Sequence, residues 1–314
     1  MQAGGNVGKY LAEALVATGK HNVYGLTRAE STSKLPSGVH SLLVNYDDPT
    51  SLSTALKSHK IQFLIITVSV TAPRDTQSKL VTAAAEAGVP YVMPNWYGGD
   101  ISNEQLGNDT KLALGARAIV AEIEKLGVSK WILLACSFWY EFSLAGGEIR
   151  YGFDFHGKHV TFYDDGNTKI ITSTWEQCGR AIAALLSLPE LPVDENDKSL
   201  TLSHFANGTA YISSFLISQK DMFESVKRVT NTTDADWDIS YEPSEKRFQD
   251  GAALMAKGDM RGFGKMLYAR SMYPTGDSDF SDKLHNKVLG LPQEDLDERT
   301  KVAVQMAQNN EVPY

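Results

Sequence analysis

Short apolar runs alternate with amphipathic helical patterns over the first 136 residues. The apolar runs predict strands over 22–26, 39–44, 62–68, 90–93 and 131–136. The helical patterns cover 9–18, 49–58, 75–87 and 109–126. The run over 62–68 (QFLIITV) is almost continuously apolar, as expected for a parallel strand that is buried on both faces. This alternation predicts an α/β fold with a parallel sheet and right-handed crossovers.

The pattern changes after residue 137, where strands and helices no longer alternate regularly. Two apolar segments, 159–163 and 169–174, flank the sequence DDGN, which is typical of a hairpin turn. Helices are predicted over 176–188 and 293–309, and a short strand over 200–202 is expected to return to the sheet. The chain length and this change of pattern predict a main domain over residues 1–150 and a smaller region over 151–314.

Small residues open the first predicted helix, in the order Gly4, Gly5, Asn6, Val7 and Gly8. Glycine carries no Cβ, so a pyrophosphate group can approach the backbone N–H groups at the start of the helix. A strand that ends in Arg28 follows about 20 residues later, at the spacing of a dinucleotide-binding unit. This arrangement predicts a dinucleotide site, with cofactor contacts from Gly4, Gly5, Asn6 and Val7.

Arg28 occupies the position that discriminates between the two nicotinamide dinucleotides. An acidic residue there would bind the ribose 2′-hydroxyl of NAD, whereas a guanidinium pairs with the 2′-phosphate of NADP. Lys34 follows six residues later and adds a second positive charge. The sequence therefore predicts NADP(H) as the cofactor and disfavours NAD(H).

Several motifs along the chain carry a family resemblance. They are AGGNVG, the TR that ends the second predicted strand, TQSKLVTAAAEAG, AGVPYVMPNWYGGD, IEKLGVSKWI and WEQCGRAIAALLSLP. With them, the chain resembles the NmrA-like and isoflavone-reductase-like proteins, which are atypical members of the short-chain dehydrogenase Rossmann proteins. The segment FWYEFSL makes it most similar to the fungal NmrA-like proteins.

The resemblance implies a Rossmann-type, doubly wound parallel sheet with a smaller C-terminal α+β substrate domain. It implies that residues 1–150 bind NAD(P), and that residues 151–314 bind the substrate and partly return to the sheet. By resemblance, Thr67 and Val68 border the nicotinamide ribose, and the segment of Pro94 and Asn95 lies under the nicotinamide.

The start of the chain departs from the family pattern. The first glycine of the family motif falls at Gln2, and the apolar strand that should precede the loop is absent. That strand is central in a doubly wound sheet, so its neighbours would lose a partner. Either the sequence starts at an internal methionine of a longer gene, or the protein tolerates the gap. We favour the first alternative and expect the chain as given to be unstable and to bind the cofactor weakly.

Six aromatic side chains follow the carboxyl ends of two predicted strands: Trp96, Tyr97, Phe138, Trp139, Tyr140 and Phe142. Ligands of open α/β sheets bind at that edge, so these rings predict an apolar substrate pocket with Tyr97 and Tyr140 as polar groups. The alternative is a core between the two domains.

Catalytic residues do not transfer from the family. None of the 13 tyrosines has a lysine four residues later, so the Tyr-x-x-x-Lys pair of ordinary short-chain dehydrogenases is missing. The lysine of isoflavone-reductase-like enzymes falls at Ala116, beside Arg117. Neither side chain is a proton donor near neutral pH, so the catalytic residues stay unknown.

Charge and composition exclude several other classes of protein. The net charge is −8 and there is no run of basic residues, which argues against direct binding of nucleic acid. The apolar runs are too short for a membrane span, and we expect a cytoplasmic protein. Cys136 and Cys178 lie in apolar segments and are predicted to be buried free thiols, and no spacing of residues indicates a metal site.

Three functions are consistent with these observations. The first is an NADP(H)-dependent oxidoreductase of secondary metabolism that acts on a small apolar or aromatic carbonyl or alkene. The second is a non-catalytic, NADP(H)-sensing regulator that binds a protein partner. The third is a redox-silent biosynthetic enzyme, such as a cyclase, on the same fold.

Overall fold

The computed structural model describes residues 3–69 and 71–312. Gln2, where the first glycine of the family motif would fall, lies outside these ranges. The helices are α1 (Asn6–Ala17), α2 (Pro49–Ser58), α3 (Thr76–Ala87), α4 (Glu104–Thr110), α5 (Leu112–Leu126), α6 (Tyr140–Ala145), α7 (Trp175–Leu186), α8 (Gln219–Thr230), α9 (Ser244–Ala256), α10 (Arg261–Ser271) and α11 (Leu296–Gln308). The strands are β1 (Tyr24–Thr27), β2 (His40–Leu43), β3 (Phe63–Ile65), β4 (Tyr91–Met93), β5 (Lys130–Ala135), β6 (Phe138–Trp139), β7 (Phe153–Asp154), β8 (His159–Tyr163), β9 (Ile170–Ser173), β10 (Gly208–Tyr211), β11 (Phe215–Ile217) and β12 (Asp238–Glu242).

The first half of the chain forms a parallel α/β layer, as the alternation of apolar runs and helices predicted. Strands β3, β4, β5 and β10 form a four-stranded sheet in the order β10-β5-β4-β3, and all its pairs are parallel. Helices α3 and α5 pack on one side of it, and α1 packs against α7 on the other side. The predicted Rossmann-type α/β fold is therefore confirmed.

The parallel layer is divided into two pieces. Strands β1 and β2 form a parallel pair of their own, in which Tyr24 lies opposite His40. A cavity of about 580 Å³ lies between this pair and the four-stranded sheet, with Leu26 of β1 and Leu64 of β3 in its walls. Leu15 of α1 and Leu186 of α7 also line it. We call it the inter-sheet cavity.

Two predicted elements differ from the structure. The helix predicted over 109–126 is two helices, because Lys111 has a left-handed backbone (φ 59°) that ends α4 and precedes α5. The predicted hairpin is wrong, because β8 pairs with β7 and β12, whereas β9 pairs with β6 and β11 in another sheet. At the turn, Asp164 N–H donates to the Glu242 carbonyl, so the chain after β8 is directed away from a hairpin partner.

The strand that returns to the first sheet lies later than predicted. Residues 202–205 form a 3₁₀ turn, and β10 (Gly208–Tyr211) then pairs with β5 in parallel. The second half of the chain otherwise surrounds a separate aromatic core that includes Tyr151, Phe153 and Trp237. Within the part of the chain that the structure describes, each helix is too short or too polar to cross a membrane.

Candidate functional site

The start of α1 offers unpaired backbone donors. Gly5 is the N-cap residue, with an extended backbone (φ −84°, ψ 171°), and α1 begins at Asn6. Among residues 3–69 and 71–312, no side chain caps this end of the helix, and its first turn holds no acidic residue. Backbone N–H groups at such an end, together with the helix dipole, favour an anion. Gly4, Gly5, Asn6 and Val7 therefore lie in a place that suits a phosphate group.

The predicted 2′-phosphate residues lie on the segment that approaches this loop. A Cβ placed on Gly4 would lie 3.1 Å from Cβ of Ser33 and 3.4 Å from the carbonyl oxygen of Lys34. Arg28 directly follows β1 and is exposed. Burial raises the pKa of Tyr46, and the positive charge of Arg28 opposes this rise. The structure thus brings the Lys34 segment to the glycine loop and leaves Arg28 accessible at the strand end.

The carboxyl ends of β3 and β4 are tied together by amide groups. Asn95 Nδ2 donates to the Val68 carbonyl at 3.0 Å, and the Asn95 backbone N–H donates to Gln77 Oε1 at 2.5 Å. Pro94 and Thr67 are both buried beside them. These side chains are therefore held in place at the edge of the sheet where dinucleotide sites form.

A second cavity, of about 350 Å³, begins at these strand ends and extends towards the second half of the chain. We call it the strand-end cavity. Val7, Thr67, Val68 and Asn95 line one end of it. The rest of its wall is mainly apolar or aromatic and includes Trp96, Tyr97, Leu106, Phe138, Trp139, Phe142, Leu267, Tyr268 and Phe280. One continuous space therefore joins the predicted cofactor residues to an aromatic wall.

Five of the six predicted aromatic residues line this cavity, but their polar atoms are partly used by the protein. Trp96 Nε1 donates to the Gly99 carbonyl at 2.9 Å, and the Tyr97 hydroxyl donates to the Ile66 carbonyl at 3.1 Å. The prediction for Tyr140 is corrected, because its hydroxyl hydrogen-bonds Thr300 Oγ1 at 2.7 Å in the C-terminal core. Tyr140 begins α6, and that helix turns its side chain away from the cavity.

A pair of hydroxyl groups was not predicted from the sequence. The Tyr268 hydroxyl and Ser143 Oγ lie 2.8 Å apart, and both residues line the strand-end cavity. Ser143 lies on α6 and Tyr268 on α10, 125 residues later. No local motif indicates such a pair, because only the tertiary fold brings these residues of α6 and α10 together.

The acidic residues of the cavity wall are already paired. Asp100 accepts from Lys283 Nζ at 2.6 Å and from the Tyr211 hydroxyl at 2.9 Å. Asp277 pairs with Arg270 at 2.8 Å. Within the described residues, no Lys, Arg, His or Cys lines this cavity. Its chemistry therefore suits an uncharged ligand.

The position at which the family lysine would fall lies on α5. Ala116 is buried on α5, and Arg117 beside it donates from Nε and Nη2 to the Ile101 carbonyl, at 3.1 and 2.6 Å. Lys111, on the turn before α5, is exposed and does not line the cavity. Cys136 and Cys178 are buried free thiols, as predicted.

One buried carboxyl lies next to the aromatic wall. Glu141 precedes Phe142 on α6, is only 1% exposed, and neither of its oxygens has a hydrogen-bond partner among the described residues. Arg299 Nη1 is 3.9 Å from Glu141 Oε1 but pairs more closely with Glu176 and Glu294. Burial, aided by the negative charge of Glu176, raises the pKa of Glu141 to about 8. The side chain is therefore largely protonated at neutral pH.

Comparison with known proteins supports the predicted resemblance. Residues 1–142 match the model of the NmrA-like family. The chain is 24% identical over 304 residues to the oxidoreductase aprR of Aspergillus flavus, and the match covers 94% of each chain.

Two solved structures share the whole fold. One is AtPrR2 with NADP⁺ and (+)-pinoresinol, with a TM-score of 0.72, 18% identity and 96% of each chain covered. The other is leucoanthocyanidin reductase with NADPH from Vitis vinifera, with a TM-score of 0.70, 15% identity and 97% of this chain and 98% of the other covered. At these identities the likeness concerns the fold.

Proposed function

We propose that this chain, whose first 142 residues match the NmrA-like family, is an NADP(H)-dependent oxidoreductase of a small, uncharged aromatic carbonyl or alkene. The observation that carries the proposal is the strand-end cavity, which joins Val7 and Asn95 to a wall of aromatic rings. A nicotinamide at the first end would face a substrate at the second. The relatives named above include an oxidoreductase and structures bound to NADP⁺ or NADPH, which supports this assignment.

Each part of the cofactor has residues that suit it. The pyrophosphate would lie at the start of α1, against Gly4 and Gly5, where backbone N–H groups are available. The 2′-phosphate would pair with Arg28 and Lys34, whose charges are compatible with a phosphate. Thr67 and Asn95, at the ends of β3 and β4, would border the nicotinamide ribose and ring. When bound, the cofactor supplies the hydride, while these residues orient it and the aromatic wall excludes water.

Titration with NADPH and NADH tests the cofactor assignment. We expect NADPH to bind at least tenfold more tightly than NADH, and Arg28→Ala to remove most of this difference, because a charge-assisted pair is worth about 1.5–3 kcal/mol. Arg261→Ala is the control, since Arg261 is exposed, pairs with Asp259 and is not among the predicted cofactor residues. Equal affinities for NADPH and NADH in the unchanged protein would contradict the assignment.

The scarcity of side chains free to exchange a proton in the cavity wall favours a second candidate, because its two aspartates are ion-paired. Among the described residues, its wall holds no lysine or histidine that could exchange a proton with the substrate. A redox-silent enzyme or an NADP(H)-sensing regulator would need no such group. Oxidation of NADPH in the presence of a panel of aromatic ketones, quinones and enones separates these functions, because only the oxidoreductase consumes the cofactor.

A further inference from the structure

The Tyr268 ring is held in one orientation at the wall of the strand-end cavity. It stacks on Phe138, with ring centroids 4.4 Å apart and planes 28° apart. Tyr151 packs against it edge to face, at 5.2 Å and 84°. Because Phe138 also contacts Tyr151, the three rings restrain one another. The hydroxyl of Tyr268 therefore has a fixed position relative to the cavity.

The hydroxyl pair has one more proton than its shared hydrogen bond uses. Ser143 and Tyr268 each carry one O–H, and the bond of 2.8 Å between their oxygens consumes one of the two protons. When Ser143 donates to Tyr268, the bond between them leaves the phenol proton unused. Burial raises the pKa of Tyr268, with Arg150 and Ser143 opposing the rise, so the phenol remains a donor at neutral pH.

Four other polar residues of the wall are less suited to hold a ligand oxygen, because their polar groups are already paired. The Tyr97 hydroxyl and Trp96 Nε1 donate to backbone carbonyls, and Asp100 and Asp277 are ion-paired acceptors. The remaining wall near Phe138 and Phe142 is aromatic and suits the face or edge of a planar ring. A ligand with one oxygen acceptor on an aromatic ring matches both features.

We propose that Tyr268, positioned by Ser143, donates the hydrogen bond that selects aromatic ketones in the strand-end cavity. The inference rests on the proposed function, because it names a residue and a substrate class for the same site. Tyr268 binds and orients the carbonyl oxygen, and Ser143 is a positioning residue that keeps the phenol proton directed at the ligand.

Paired probes test this directly. One probe is 2-acetylnaphthalene, and the other is 2-isopropenylnaphthalene, in which a CH₂ group replaces the carbonyl oxygen. Their affinities are measured by quenching of intrinsic tryptophan fluorescence, with and without NADP⁺. We expect the ketone to bind about 5- to 10-fold more tightly than the hydrocarbon, as for one buried neutral hydrogen bond.

Three variants locate the origin of that ratio. Tyr268→Phe should reduce it to about one while the hydrocarbon still binds, and Ser143→Ala should reduce it in part. Tyr241→Phe is the matched control, since it removes a phenol hydroxyl from an exposed residue of β12 that does not line the cavity. The ratio in this control should remain that of the unchanged protein.

The results distinguish a failure of the Tyr268 proposal from a failure of the proposed oxidoreductase function. A ratio near one in the unchanged protein, binding of neither probe, or an unchanged ratio in Tyr268→Phe would overturn the role of Tyr268 while NADPH binding stands. A loss of NADPH binding with the ratio intact would instead remove the proposed oxidoreductase function and keep the ketone site.

Discussion

The two cavities of this protein differ in what surrounds them. The inter-sheet cavity is the larger, at about 580 Å³, and its lining mixes aliphatic side chains with polar and charged ones such as Lys20, His59 and Glu190. The strand-end cavity is smaller, at about 350 Å³, and its wall is mainly apolar and aromatic, with a few polar groups that are held by hydrogen bonds. Volume alone would favour the inter-sheet cavity as the ligand site.

Position relative to the strands decides between them. The strand-end cavity lies beyond the carboxyl ends of β3 and β4, where open α/β sheets bind their ligands, whereas the inter-sheet cavity interrupts the sheet itself. Groups that are costly to bury, such as Glu141 and the Ser143–Tyr268 pair, lie close to the strand-end cavity. The difference indicates that buried polar groups mark a functional region better than cavity volume does.

The largest expected effect tests the free-energy cost of burying the Glu141 carboxyl beside the strand-end cavity. The pKa of Glu141 is raised from 4.5 to about 8 by burial. Between these values the unfolded chain has lost this proton and the folded protein keeps it, so stability falls as pH rises from about 4.5 to about 8. Glu141→Gln cannot ionise, and we expect it to raise the free energy of unfolding at pH 8 by on the order of 2–4 kcal/mol.

Urea unfolding at pH 5 and pH 8 measures this effect. The gain from Glu141→Gln should be small at pH 5 and large at pH 8. Glu13→Gln, on the exposed side of α1, serves as the control and should leave the pH dependence unchanged. A gain of the same size at both pH values would show that packing, and not ionisation, distinguishes Glu141.

The next effect concerns the contact between α7 and α1, the helix that begins at the glycine loop. A Cβ on Gly179 of α7 would lie 2.6 Å from the Tyr10 carbonyl oxygen of α1, a backbone atom that cannot rotate away. We therefore expect Gly179→Ala to destabilise the protein by about 1–3 kcal/mol and to weaken NADPH binding, because α1 must shift.

Gly115→Ala is the matched substitution for this test. Gly115 is an exposed helical glycine of α5 whose added Cβ would meet no atom within 4 Å. Alanine there should stabilise the protein by about 0.5–1 kcal/mol and leave NADPH affinity unchanged. If Gly179→Ala were as harmless as Gly115→Ala in thermal unfolding, α1 and α7 would not be in close contact.

The amino-acid pattern predicted the first half of the fold well because its elements are local and strongly periodic. Helix α2 has the predicted bounds, and the apolar run of β3 and the glycine that follows α3 mark further elements. The second half was predicted less well because its strands pair across long stretches of sequence. Strand β8 meets β12 about 79 residues later, and a turn sequence cannot reveal that partner.

The residues of the candidate site show the same distinction between local motifs and long-range packing. The cofactor residues belong to a compact motif in which spacing carries the chemistry, so Gly4, Gly5 and Arg28 could be proposed from the sequence. Tyr268 could not, because it reaches Ser143 only through the packing of α10, and nothing near residue 268 signals a ligand. Their roles in binding remain predictions that the titrations above address.

The smallest effect distinguishes the inter-sheet cavity from a tightly packed core. Val23 lines this cavity, and an added methyl group there has space, so Val23→Ile should stabilise the protein by up to about 0.8 kcal/mol. Val92, on β4, is fully buried between β3 and β5, and the same substitution should cost about 1–3 kcal/mol through overpacking. If urea unfolding shows that the two substitutions change the free energy of unfolding with opposite signs, the larger cavity is unfilled volume in the sheet. Equal losses at both positions would mean that its walls close in solution, and the contrast between the two cavities would then rest on chemistry alone.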